Sequence, residues 1–112
     1  MRVSGSTASD FKKYPVFLLT VHEGENVYVG NDVRIAVLLD RRRDTAQVSI
    51  FHRGNQQHPM VRLGQRMILP NAGLEIRYGR GGGRMVKLVF FVPKSVRIDR
   101  ESVRRKQRRG AA

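Results

Sequence analysis

Alternating apolar positions recur along most of the chain and predict β-strands. A two-residue period is typical of a strand that has one face in a core. The clearest example is V-K-L-V-F-F-V at residues 86–92. Pro93 lacks the N–H that a sheet ladder needs and favours an extended Val92, so we expect the strand to end there. A short second strand is predicted at residues 96–99, where apolar and charged residues alternate.

The rest of the chain carries the same signature between short turn-forming stretches. Apolar residues that favour strands mark residues 16–21, Val27 with Val29, residues 33–39, Val48 with Ile50, and residues 61–63, 67–69 and 74–78. Residues 30–32, G-N-D, have the composition of a tight hairpin turn. The polar residues 52–59 predict a break between strands. The pattern predicts an all-β fold, a small antiparallel β-meander or barrel-like sandwich.

One helix is expected, at the C-terminal end. Residues 100–109 contain no Gly, Pro or aromatic residue and are dense in Arg, Lys, Glu and Gln, which are good helix formers. Asp99 is the predicted N-cap of this short helix. Residues 1–13 are mostly small and polar, which predicts a flexible N-terminal arm. The sequence therefore predicts one domain over residues 14–109 and a disordered tail at 110–112.

A large excess of positive charge points to a polyanionic partner. The chain of 112 residues has 22 Lys and Arg against 9 Asp and Glu, a formal net charge of +13. A protein this basic attracts phosphate, because each neutralised phosphate releases a condensed counterion. Eight of the basic residues and two of the acidic ones lie in residues 94–112, so the positive charge is concentrated at that end.

The sequence offers no candidate catalytic or metal site. Cysteine is absent, which excludes a disulfide framework and thiolate ligands. The three histidines, His22, His52 and His58, do not have a familiar ligand spacing. The glycine-rich residues 79–84 lack the Gly-Lys-Ser/Thr ending of a phosphate-binding loop. We expect no enzyme activity and no cofactor, and the lack of a long apolar run predicts a cytoplasmic protein that does not enter a membrane.

Two stretches of the chain resemble one another. G-E-N-V-Y-V-G-N-D-V-R-I at residues 24–35 is similar to G-Q-R-M-I-L-P-N-A-G-L-E-I at residues 64–76. Two hairpins of the same type produce such a similarity by chance fairly often. The sequence alone therefore leaves an internal duplication open.

Two longer stretches resemble a known family. Residues 19–38, L-T-V-H-E-G-E-N-V-Y-V-G-N-D-V-R-I-A-V-L, are similar to the start of the CsrA/RsmA carbon storage regulators, whose pattern is L-T-R-R-x-G-E, a strand, I-G-D and an alternating strand. Residues 92–103, V-P-K-S-V-R-I-D-R-E-S-V, resemble that family's A-P-K-E-V-x-V-H-R-E-E-I. The matches have the family's order and cover under half of the chain. Residues 1–15 form an extension, and residues 41–84 an insertion between the family's third and fourth strands.

The resemblance implies an RNA-binding regulator of translation that recognises GGA in loops of messenger leaders or in small RNAs. It also implies an intertwined homodimer with exchanged strands, in which each RNA site combines the first strand of one subunit with the last strand and helix start of the other. The alternative is a monomer in which the insertion, as a rough second copy, occupies the partner's place; we expect the dimer, because the insertion lacks a convincing second version of the first strand and of residues 92–100. By position, the implied RNA-binding residues on the first strand are Leu19, Thr20, Val21 and His22. Those at the other end are Val92, Pro93, Lys94, Val96, Ile98, Arg100, Arg104 and Arg105.

The sequence departs from the family pattern at the implied site. Val21 and His22 stand where the family has two arginines, and Asp99 stands where it has a histidine. Positive charge is added in the insertion and in the residues after Arg100. We therefore expect RNA affinity with weaker selectivity for GGA. The alternative is a protein-interaction module, a family-like subunit with a degraded RNA site that pairs with or antagonises another regulator.

Overall fold

The chain folds into antiparallel β-strands. The structure, a computed structural model, describes residues 14–80 and 83–101. Within these residues the strands are β1 (Val16–His22), β2 (Val27–Val29), β3 (Val33–Asp40), β4 (Thr45–His52), β5 (Asn55–Gln57), β6 (Met60–Arg62), β7 (Met67–Leu69), β8 (Ala72–Tyr78), β9 (Met85–Phe91) and β10 (Ile98–Arg100). The predicted all-β class is confirmed.

The strands form two sheets that share one core. The first sheet has the order β1-β9-β8-β7, and the second has the order β10-β2-β3-β4-β5, with β6 also paired to β4. Neither sheet closes into a barrel. Alternate residues of both sheets are fully buried in one cluster, for example Ile35 on β3, Leu74 on β8 and Phe90 on β9. Each such side chain contributes about 1.5–3 kcal/mol of transfer free energy.

Most predicted strands are present, and two predictions at the segment level are wrong. The polar stretch 52–59 contains β5 and the end of β4, because an exposed edge strand needs no apolar alternation. The predicted helix does not begin at Arg100, because Arg100 and the buried Asp99 both belong to β10. The predicted arm at 1–13, the tail at 110–112 and the predicted helix from residue 102 onward lie outside the described residues. In the part of the chain that is described, no helix is long and apolar enough to cross a membrane.

Two halves of the chain repeat the same strand pairing. Val21 on β1 lies opposite Val86 on β9, and Val61 on β6 lies opposite Ala46 on β4. Val61 follows Val21 by 40 positions, and Val86 follows Ala46 by 40 positions. The same shift relates Val16 opposite Phe91 to Gln56 opposite Phe51. β5 and β6 together are therefore a broken copy of β1, interrupted at residues 58–59.

The turns between the paired strands repeat in the same way. Gly24 donates a backbone hydrogen bond of 2.9 Å to the Val37 carbonyl, and Gly64 donates one of 2.9 Å to the Ile76 carbonyl. Both glycines have a positive φ, at 81° and 84°. The weak sequence similarity between residues 24–35 and 64–76 thus corresponds to two equivalent hairpins. The predicted insertion, residues 41–84, contains β4 to β8 and supplies most of the second half.

Candidate nucleic-acid interface

The first strand offers an open edge. Among the residues that the structure describes, β1 pairs only with β9 and is the terminal strand of the first sheet. Val16 and Leu18 are each 56% exposed. Thr20 and His22 are also exposed, Leu19 is half-buried, and Val21 is a core residue whose side chain is 2% exposed. Of the four implied contacts on this strand, Val21 can therefore offer only its backbone.

The segment between β9 and β10 turns beside the start of β1. Pro93 ends the ladder of β9, as predicted, and its carbonyl accepts a hydrogen bond of 3.0 Å from the Val96 N–H. The Val92 N–H donates to the Pro15 carbonyl at 3.2 Å, which ties this turn to the chain entering β1. β10 also pairs with β2, so the two stretches that resemble the regulator family meet in space, although residues 39–91 lie between them in sequence.

An open groove of about 360 Å³ lies at this meeting point. It contains five of the implied RNA-binding residues, together with residues that precede and begin β1. Its lining consists of Pro15, Val16, Phe17, Val92, Pro93, Lys94, Val96, Arg97, Ile98 and Asp99. The groove combines an aromatic side chain with an exposed lysine, two features that suit an unpaired nucleotide, whose base stacks and whose phosphate is anionic.

Arg100 lies across the open edge of β1. Its Nη2 donates a hydrogen bond of 3.0 Å to the Thr20 carbonyl. The end of β10 is held in place next to it, because the Glu101 N–H donates to the Asn26 carbonyl at 3.0 Å and the Asn26 side chain donates to Oε1 of Glu101 at 2.5 Å. A guanidinium has five N–H donors. The N–H groups of Arg100 that do not donate to Thr20 make no hydrogen bond within the described residues. They can bind phosphate or a guanine edge.

Asp99, which stands where the family has a histidine, forms an ion pair with Arg97. Asp99 is only 7% exposed, and Oδ1 accepts a hydrogen bond of 3.1 Å from Nε of Arg97. This ion pair offsets the negative charge that the sequence places next to Arg100. The site consequently keeps a net positive surface from Lys94 and Arg100.

A third cation, besides Lys94 and Arg100, lies near the site because of the sheet register. Lys87 on β9 lies directly opposite Thr20, and Arg77 on β8 lies opposite Lys87. Opposed residues of neighbouring strands present their side chains on the same face, about 4.5–5.5 Å apart at Cβ. Arg77 is held by Glu75 at 3.0 Å. Lys87 has no such partner in the described part of the chain, so it adds an available positive charge beside Thr20.

Two residues near the site, Phe17 on the core-facing side of β1 and Lys87 on the outer face of the sheet, escape the sequence-based interpretation. Phe17 lies outside the matched motif, and Lys87 belongs to a strand that the resemblance places away from the site. The alternation of residues 86–92 does indicate that Lys87 points away from the core. Only the β1–β9 register shows what it lies next to. Arg104 and Arg105, which the resemblance also implies, lie outside the described residues.

The described residues contain no cluster of His, Asp and Glu side chains that could hold a metal ion. Comparison of the whole chain with protein-family models, curated proteins and solved structures finds no match.

Proposed function

We propose that this protein is an RNA-binding regulator of translation, with a fold of the CsrA/RsmA type, whose site combines β1 with the turn before β10 and with β10 itself. The observation that carries the proposal is the contact between Arg100 and the Thr20 carbonyl. The resemblance implies that these two segments form one RNA site. Their contact in the fold supports this function.

The surface provides each kind of contact that single-stranded RNA uses. Phe17 offers a partly exposed ring for base stacking, Arg100 offers a planar donor for guanine or phosphate, and Lys94 and Lys87 offer point charges. The backbone edge of β1 adds unpaired polar groups that bases can contact. The expected ligand is an RNA hairpin that presents GGA in its loop, from a messenger leader or a small RNA.

The charges missing at Val21 and His22 predict a change in selectivity rather than a loss of binding. His22 is exposed, so an arginine at that position would lie at the RNA surface, whereas the side chain of Val21 faces the core. Lys87, Lys94 and the basic C-terminal residues supply attraction that does not depend on base sequence. We therefore expect a smaller preference for GGA over other loops than the resemblance alone implies.

The test is a titration of the protein with two labelled RNA hairpins that differ only in having GGA or a scrambled triplet in the loop. Anisotropy is measured at about 50 and about 200 mM salt, a range over which phosphate contacts weaken strongly. The proposal predicts binding of both hairpins, preference for GGA at both salt concentrations, and weaker binding at the higher one. Equal affinity for the two hairpins would remove base recognition from the proposal.

The second candidate is a protein-interaction module. Exposed Val16 and Leu18 on an open strand edge favour it, because such an edge can pair with a strand of another protein. In that case neither hairpin binds at about 50 mM salt. The same titration therefore separates the two candidate functions.

A further inference from the structure

The second half of the chain fills a place that a partner subunit would otherwise take. In the implied homodimer, a first strand from another subunit completes the sheet. Here the outer side of β4 is covered by β5 and β6, in the register that β1 has on β9. β1 and β10 likewise pair within the chain, on β9 and β2. The exchange of strands between two chains stays a prediction, and a single chain already pairs both strands.

Only one half of the chain provides the strand that completes an RNA site. The second half continues from β9 through Pro93 to β10, which pairs with β2. The first half turns back after β4, because Arg53 and Gly54 adopt positive φ angles of 50° and 83°, as a two-residue hairpin turn requires. The result is β5, which returns along β4. Within the described residues, no strand pairs with the outer edge of β7.

The edge of β7 also lacks the hydrogen-bond donor that holds β10 on β2. The Gly30 N–H, at the end of β2, donates to the Arg97 carbonyl at 2.6 Å just before β10 begins. Pro70 occupies the equivalent place after β7, 40 positions later, and has no N–H. Proline at a sheet edge hinders the addition of another strand. The edge of β7 therefore cannot bind a strand in the way that the edge of β2 binds β10.

The residue equivalent to Thr20 shows the same asymmetry. Met60 stands 40 positions after Thr20 and lies opposite Gln47 as Thr20 lies opposite Lys87. No arginine of the described residues donates to the Met60 carbonyl, in contrast to the bond from Arg100 to Thr20. The described surface around Met60 therefore has no counterpart of the Arg100 guanidinium or of Lys87.

From these observations we infer that one chain is the complete RNA-binding unit and that it carries one RNA site, the second having been lost. The inference rests on the proposed function for the nature of the ligand. The inference that residues 56–92 replace a partner subunit does not depend on the ligand, because it rests on strand pairing alone. A protein of this kind binds one hairpin and cannot connect two hairpins within one unit.

The first arm of the test concerns the chain by itself. Since the protein has no cysteine, Thr20→Cys with Lys87→Cys introduces a single possible disulfide between β1 and β9. Oxidation is expected to give a product of one-chain mass on a non-reducing denaturing gel, with the Lys87→Cys variant as control. Light scattering of the unmodified protein over a range of concentrations is expected to give one-chain mass throughout. A disulfide-linked pair of chains, or a stable two-chain mass, would overturn the inference.

The second arm counts RNA sites. Titration of the protein with the GGA hairpin, at concentrations well above the dissociation constant, is expected to saturate at one RNA per chain. Arg100→Ala should weaken the affinity for this hairpin about 5- to 150-fold, whereas Met60→Ala, at the equivalent position, should leave the affinity unchanged. Saturation at one RNA per two chains or at two RNAs per chain would contradict a single complete site. Failure of every hairpin to bind would overturn the RNA function, while the mass and the disulfide would still decide whether residues 56–92 replace a partner.

Discussion

At the scale of single residues, Arg100 is the side chain on which the RNA proposal depends most. It is half-buried at the end of β10, and its side chain donates a hydrogen bond to the Thr20 carbonyl. The hydrogen bond between Asn26 and Glu101 holds the adjacent backbone in place. A guanidinium held in this way loses little conformational entropy when RNA binds. Lys94, in contrast, is exposed and free to follow a phosphate.

Replacing Arg100 should therefore affect base recognition as well as affinity. We expect Arg100→Ala to cost about 1–3 kcal/mol of binding free energy to the GGA hairpin and to reduce the preference over the scrambled hairpin. Arg43→Ala, which removes the same charge from an exposed loop, is the matched control and should change both affinities only slightly. Identical titration curves for wild type and Arg100→Ala with each hairpin would refute the role of Arg100.

Phe17 gives a second test at this scale, because it lines the groove with Lys94 and Pro93 and is 40% exposed. Stacking of one base on an aromatic ring contributes about 1–3 kcal/mol. Phe17→Ala should lower RNA affinity by that amount, and Phe17→Tyr should retain it. Leu38→Ala, an exposed apolar residue of the second sheet, serves as the control for nonspecific loss. Unchanged affinity in Phe17→Ala would exclude stacking in the groove.

The residues of the site were predictable to different degrees. Lys94 and Arg100 follow from the motif at residues 92–103, since they keep the residue types that the family has there. Phe17 and Lys87 depend on which strands become neighbours, and no local pattern fixes that. Asp99 is a further case: the charge pattern places it at the end of a strand, but only the pairing of β10 with β2 shows that its side chain is buried.

At the scale of elements, the two equivalent hairpin turns also hold the halves of the chain together. Nδ2 of Asn71, in the turn between β7 and β8, donates a hydrogen bond of 2.9 Å to the Val29 carbonyl at the end of β2. The same amide nitrogen lies 3.0 Å from the position of a Cβ on Gly30, where φ is 71°. A residue other than glycine at position 30 would be strained and would displace this contact.

Removal of the Asn71 side chain should lower the stability of the fold. We expect Asn71→Ala to reduce the free energy of unfolding by about 1 kcal/mol, the usual contribution of such a hydrogen bond. Asn31→Ala is the matched control, because Asn31 occupies the equivalent turn but is exposed. The midpoints of urea unfolding measure both effects. Equal midpoints for the two variants would show that the turns do not stabilise one another.

The element order could be predicted from the sequence only in part. Strands with one buried face, such as β3, β8 and β9, show clear alternation, and the G-N-D and P-N turns identify their hairpins. The copy of the first strand is hidden, because Q-Q-H-P-M-V-R at residues 56–62 shares almost no side chains with V-F-L-L-T-V-H at residues 16–22. An exposed edge strand is specified by its backbone pairing, so the sequence alone favours an insertion where the structure has a second half.

At the scale of the whole molecule, the net charge of +13 acts on any RNA regardless of its sequence. The basic residues after Arg100, which include Arg104, Arg105, Arg108 and Arg109, carry much of it. Their contribution is expected to be long-range attraction, which salt screens. Selectivity and attraction are therefore assigned to different parts of the chain.

This division predicts how the C-terminal charges act. Replacing Arg108 and Arg109 with glutamine should weaken binding of the GGA and scrambled hairpins by the same factor. The slope of the logarithm of affinity against the logarithm of salt concentration should become smaller for each phosphate that the variant no longer neutralises, by about 0.9 on a duplex and about 0.7 on a single strand. A selective weakening of GGA binding would instead place these residues in base recognition.

The most direct test of the account is to locate the RNA on the folded protein by NMR. Backbone amide signals of the labelled protein are followed while the GGA hairpin is added. The account predicts that the largest shifts occur at Thr20, Lys94 and Arg100, and that the amide of Met60, the counterpart of Thr20 in the second half, does not move. Equal shifts at Thr20 and Met60, or shifts confined to residues remote from β1 and β10, would contradict it.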